Sequence, residues 1–129
     1  GLPETSLGIP PAQIAPFVVT RIGLTQARRL ALFGARFKGQ EAKELGIVHQ
    51  CVASNAELDE AIETALSQVK NCAPLANRTT KELILNVGST DLDALLDGAA
   101  RSFAAAVQGA EGQEGTMAFI QKRKARWAE

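Results

Sequence analysis

From residue 54 to its C-terminus the chain reads as a succession of helices, each apolar along one stripe only. A helix of that kind is stable only when its stripe is buried against a partner. Ser54 and Glu57 form a capping box, after which Leu58, Ile62, Leu66 and Val69 recur at helical spacing until Asn71-Cys72-Ala73-Pro74 breaks the run. Pro74 suits the first position of the next helix, with Leu75, Leu83, Ile84 and Val87 on its apolar face and Gly88 at its end. Asp91 opens a third helix carrying Leu92, Leu95, Leu96, Ala99, Phe103 and Val107 on one stripe. A fourth is expected from about Glu111 through Met117 and Ile120 into "QKRKARWAE". Residues 54–129 are therefore expected to form a packing or oligomerisation layer.

The texture before residue 54 is different. Four of the five prolines, Pro3, Pro10, Pro11 and Pro16, fall in the first sixteen residues. That stretch is expected to be extended or turning, with at most a short helix starting near Ala12. Thr25 suits an N-cap for a helix to Phe33, with Ala27, Leu30 and Ala31 on one face and Gly34 ending it. A short strand near Arg36 to Lys38 is expected next, then a two-turn helix over "QEAKELG" with Gly46 as its left-handed cap. The β-branched run "IVHQCV" predicts a strand. The fold class expected is mostly α with short β pieces, not an alternating βαβ sheet protein.

With 129 residues and a 46% hydrophobic composition the chain has material for one core. Its 14 basic and 14 acidic residues balance, so no overall field draws it to nucleic acid or an anionic membrane, and anion binding must be local. Tyrosine is absent and aromatic residues are few, which argues against a base-stacking surface. No apolar run approaches the roughly 20 residues that span a bilayer, and no charged-then-apolar leader is present. Two cysteines, Cys51 and Cys72, are too few for a disulfide framework or a metal site. They are expected to be structural thiols in a reducing, cytoplasmic setting.

Few residues are placed for chemistry. His49 is the only histidine, and no motif sets a serine or cysteine with a carboxylate beside it, so a triad is not expected. Glu41, Glu44, Glu57, Asp59, Glu60 and Glu63 fall on helix faces or caps where carboxylates are solvated. The basic run Lys122-Arg123-Lys124 with Arg126 suits a solvated helix end, a nucleic-acid patch or a phosphate contact. No P-loop, dinucleotide fingerprint or metal-ligand spacing is present. Glu4 stands apart. It follows proline at the mouth of a turn and precedes an apolar stretch, so stiff backbone holds its carboxylate where a partly dry cleft suits acid–base work.

The blocks "LPETSLG", "RIGLTQARRLALFGARFKGQEAKELGIVHQCV", "CAPLANRTTKELI" and "EGTMAFIQKRKARW" resemble, in order and spacing, the C-terminal half of the enoyl-CoA hydratase/isomerase (crotonase) superfamily. That resemblance implies the end of the crotonase spiral α/β fold over residues 1–53 and its helical trimerisation layer over 54–129. Glu4 matches the glutamate of the family's Pro-Glu motif, one of two catalytic glutamates in hydratases. Phe119 and Lys122 match the C-terminal residues that lean over the adenine and 3′-phosphate region of coenzyme A. Acyl-CoA is implied as substrate, no cofactor is implied, and a homotrimer or dimer of trimers is the expected assembly. The second glutamate and the oxyanion hole lie upstream in the family, so a complementary N-terminal half is implied as a partner and the 129-residue chain alone is expected to be inactive. Where many relatives carry a glycine-rich turn, this chain has "IPPAQIAPFVV", which resembles hydratases of glutaconyl-type thioesters. Hydration is the activity implied; double-bond isomerisation and a non-catalytic assembly module are the alternatives.

Overall fold

The computed structural model describes all residues, Gly1–Glu129. A 3₁₀ turn, Glu4–Leu7, precedes six helices: α1 (Ala15–Leu32), α2 (Gly39–Glu44), α3 (Asn55–Lys70), α4 (Pro74–Leu85), α5 (Leu92–Gln108) and α6 (Ala110–Ile120). A second 3₁₀ turn, Arg126–Ala128, closes the chain. Its contacts divide it into two compact units, Gly1–Ala61 and Ile62–Glu129.

In the first unit, α1 bends at Gly23, whose φ of 76° and ψ of 162° lie outside the helical region. The break falls two residues ahead of Thr25, the cap expected from sequence. The helix then ends as predicted at Gly34, in the left-handed conformation. Gly34 N–H donates to the Ala31 carbonyl and Ala35 N–H reaches back to Leu30, which satisfies two carbonyls that a helix end leaves free. The same pair of bonds closes α2, with Gly46 as the left-handed residue and Ile47 N–H on Ala42. Leu2, Ala27, Leu30 and Ala42 are the buried apolar side chains of this unit.

The two expected strands do not form: residues 36–38 and 47–52 have no ladder, and the only bridge is an isolated Val87–Thr90 pair. A β-branched run becomes a strand only when a second strand satisfies its amides, and this chain supplies none beside it. The Arg21 guanidinium instead takes the Ile47 carbonyl at 3.1 Å and lies 3.3 Å from His49 Nε2. The mostly helical character of the prediction stands; its β pieces are irregular backbone.

In the second unit α5 packs against α6 and α4 against α5. Asp91 caps α5 through the Ala94 N–H as expected; in the first unit Ser54 Oγ accepts from the Glu57 N–H at the start of α3. The last helix differs from expectation by ending at Ile120 instead of running into the basic segment. Most stripe residues stay open to solvent: Leu58, Ile62, Leu66 and Val69 on α3, and Leu96, Phe103 and Val107 on α5, are all exposed. Cys51 and Cys72 are exposed too, so neither acts as the buried filler expected of a structural thiol.

Candidate functional site

Glu4 begins the first 3₁₀ turn, and three neighbours fix that turn. Ser6 Oγ donates to the Pro3 carbonyl at 2.6 Å, Thr5 Oγ1 donates to the Ala31 carbonyl at 2.7 Å, and the Leu2 amide donates to the Ala35 carbonyl at 2.8 Å. Gly8, left-handed at φ 77°, closes it by letting Ile9 N–H return to the Glu4 carbonyl. Gly34 is needed here for space as well as for its φ, because a Cβ would come within 3.2 Å of Ser6 Oγ. The turn is therefore pinned to the end of α1 from both sides, and Glu4 has its main chain fixed. Its Oε2 is buried without any hydrogen-bond partner. A carboxylate oxygen shielded from water and left unbonded is costly to fold, and such costs persist where the group has work to do. A cleft of about 300 Å³ opens in the same unit, walled by Leu2, Pro11, Ala15, Val18, Ala31 and Leu32 among others. The "IPPAQIAPFVV" segment supplies part of its apolar wall.

Phe119 and Lys122 belong to the second unit, where the end of α6 brings them into one turn. The Lys122 amide donates to the Phe119 carbonyl at 3.1 Å and the Arg123 amide to Ala118 at 3.0 Å. This is the helix-ending pattern made by Gly34 and Gly46, with one change: its left-handed residue is Lys122, at φ 53°, the only non-glycine residue with positive φ. An L-residue there costs about 1–2 kcal/mol. Phe119 is 85% exposed, and Lys122 is exposed and in no ion pair.

Glu114, one turn before Phe119, was not distinguishable by sequence from the other helix carboxylates. Its side chain is only 9% exposed and takes Arg123 in a two-pronged bond, Nη1 to Oε1 at 2.6 Å and Nη2 to Oε2 at 3.0 Å. The Arg126 amide adds a bond at 3.1 Å and its guanidinium lies 3.4 Å away. The Arg123 bond above all, helped by Arg126 and opposed by burial, pulls the Glu114 carboxyl down from 4.5 to about 2. A carboxyl lowered on folding adds stability that is complete above its unfolded value and is lost as pH falls through the folded one. We therefore expect the melting temperature to drop between pH 4.5 and about 2, and a Glu114→Gln variant to lack that part of the drop. Thermal melts of both proteins across that range check it.

Glu111 is a second carboxylate whose role only the structure reveals. Proline opens α4 with no side-chain cap of its own, and both Glu111 oxygens accept the Leu75 amide at 3.0 Å while Oε2 also takes Ala76 at 3.1 Å. This cap comes from another helix, so Glu111→Ala should cost about 1 kcal/mol, as loss of a local cap does. Urea unfolding of the variant measures it. Trp127 completes the C-terminal segment, its indole N–H on the Asn71 carbonyl at 3.3 Å and its ring against Gly115.

The chain matches the enoyl-CoA hydratase/isomerase family over residues 1–129. It belongs to that family. Among solved structures, the AtuE protein of Pseudomonas aeruginosa is 64% identical with a TM-score of 0.90, over 98% of this chain and 49% of that one. An enoyl-CoA hydratase/isomerase from Marinobacter aquaeolei is 58% identical with a TM-score of 0.88, over 100% of this chain and 49% of that one. The peroxisomal Delta(3,5)-Delta(2,4)-dienoyl-CoA isomerase of Arabidopsis thaliana is 34% identical over 107 residues, 83% of this chain and 38% of that protein. The chain thus spans about half the length of the two solved structures. The helix-rich architecture is that of the C-terminal part of the crotonase fold. None of its helices is long and apolar enough to cross a membrane.

Proposed function

We propose that the full-length protein adds water across the double bond of an α,β-unsaturated acyl-CoA, and that Glu4 is one of its two acid–base carboxylates. The observation that carries this reading is the Glu4 oxygen, buried, unbonded and held by a turn anchored at both ends. In the reaction one glutamate takes a proton from water as the water oxygen attacks Cβ, and the other delivers a proton to Cα. The enolate formed between these events needs hydrogen-bond donors at the thioester oxygen, and the family's upstream segments are where they belong. The apolar cleft walled by Pro11, Ala15 and Val18 suits a hydrocarbon portion of the acyl group. Phe119 and Lys122 are the proposed contacts to the adenine and 3′-phosphate of coenzyme A. The exposed stripes of α3 and α5 are the surfaces through which copies would assemble as a trimer or dimer of trimers.

Isomerisation is the second reading, favoured by the plant dienoyl-CoA isomerase among the relatives and by Glu4 being the one carboxylate left with an unbonded buried oxygen. Chromatography coupled to mass spectrometry of the product formed from an enoyl-CoA by the full-length protein, run beside the positional isomer as a standard, separates the two. Gain of one water supports hydration; a shifted double bond at unchanged mass replaces it with isomerisation.

A further inference from the structure

We infer that Glu114 is a positioning residue for coenzyme A recognition: its clamp on Arg123 and Arg126 holds Lys122 in a left-handed turn and leaves that lysine an unpaired cation in the same turn as Phe119. The inference rests on the reading of Lys122 as a 3′-phosphate contact. Three observations carry it.

First, the basic run is sorted. Of Lys122, Arg123, Lys124 and Arg126, the two arginines go to Glu114 while neither lysine is in an ion pair. A flexible lysine ammonium suits a phosphate as a point charge, and the planar guanidinium suits the bidentate carboxylate. Second, the turn is strained where it would be easy not to be. Gly34 and Gly46 end their helices in the same way, yet Lys122 holds the equivalent place. Strain of that kind persists where surrounding structure over-determines it and the side chain is used. Third, the clamp and the strained residue are adjacent in the chain: Arg123 follows Lys122, its amide closes the turn on Ala118, and its guanidinium is anchored by Glu114 and by Gln121 Oε1 at 2.7 Å. Releasing Glu114 removes the charged, two-pronged anchor of Arg123 and so loosens the turn that holds Lys122.

The test uses the full-length protein and measures dissociation constants for coenzyme A and 3′-dephospho-coenzyme A by titration calorimetry. Lys122→Ala should weaken coenzyme A about tenfold and leave 3′-dephospho-coenzyme A nearly unchanged. Glu114→Gln should weaken coenzyme A by about threefold to fivefold with the same selectivity. It should add nothing in the Lys122→Ala background, because both changes remove one interaction. In turnover, KM should rise while kcat stays within about twofold of wild type. Arg123→Lys keeps the charge but loses the two-pronged bond, so it should reproduce the selective loss and serves if Glu114→Gln fails to fold. If Lys122→Ala leaves the preference for the 3′-phosphate intact, the reading of Lys122 fails and the inference falls with it. If Lys122→Ala is selective but both clamp variants weaken the two ligands equally, or act additively with Lys122→Ala, Glu114 is structural only and the inference alone is overturned.

Discussion

Glu4→Gln in the full-length protein should lower kcat for its enoyl-CoA substrate by about 10²–10⁴-fold, the usual worth of a positioned acid–base group. Affinity for coenzyme A should stay close to wild type, because the residues matched to coenzyme A contacts lie at Phe119 and Lys122. The amide keeps the size and shape of the carboxylate, and the backbone of the turn is held by Ser6, Thr5, Leu2 and Gly8 without help from the Glu4 side chain. The variant should therefore fold. It should also melt at the same temperature or a few degrees higher, since a buried carboxylate oxygen with no partner is replaced by a neutral group. Loss of turnover together with unchanged or raised stability is the signature of a group kept for chemistry. Wild-type turnover in the variant would remove Glu4 from the mechanism, and an equal loss of stability would make it structural. Stopped assays for product, with melts of the same samples, provide both readouts.

Residues whose role is local could be read from sequence, and those whose role depends on distant partners could not. Gly34, Gly46, Asp91, Pro74 and the Ser54–Glu57 pair each act within a few residues of themselves, and each does what its neighbours imply. The Glu4 turn is only partly of this kind: Ser6 closes it onto Pro3, but Thr5 ties it to Ala31 and Leu2 to Ala35, at the far end of α1. The strand expected over "IVHQCV" rests on β-propensity alone, and propensity is silent about whether a second strand is available. The end of α6 at Ile120 departs from expectation for a related reason. Nothing in "FIQKRKARW" announces a stop, since the left-handed residue is lysine and the carboxylate that binds the next residue, Glu114, lies several residues earlier. Glu111 and Glu114 look alike in sequence, three apart on one helix, yet one caps α4 and the other binds two arginines. Only the packing of α6 against its neighbours separates them. The stripes of α3 and α5 were legible as apolar faces, and in the structure they stand open to solvent.

Gly112→Ala should be among the most destabilising single-methyl changes in the second unit, at about 3 kcal/mol. The reason is how closely α6 leaves the end of α5. A Cβ on Gly112 would overlap the Ala106 carbonyl oxygen, with the Ala106 carbon at 3.0 Å and Val107 Cα at 3.1 Å behind it. All three are backbone atoms, so no side chain can swing aside and one helix must move. That shift would reach Glu111 and Glu114 on either side, hence the cap of α4 and the clamp on the C-terminal turn. Gly98→Ala is the matched control. Gly98 lies inside α5 with only Arg101 Nη2 near, at 3.9 Å. Adding a methyl there meets open space and removes the entropy that glycine loses in a helix, a gain of about 0.5–1 kcal/mol. The same chemical change at two glycines should therefore move urea midpoints in opposite directions. Equal and small shifts at both sites would mean that α5 and α6 do not approach as closely as the Gly112 contact requires.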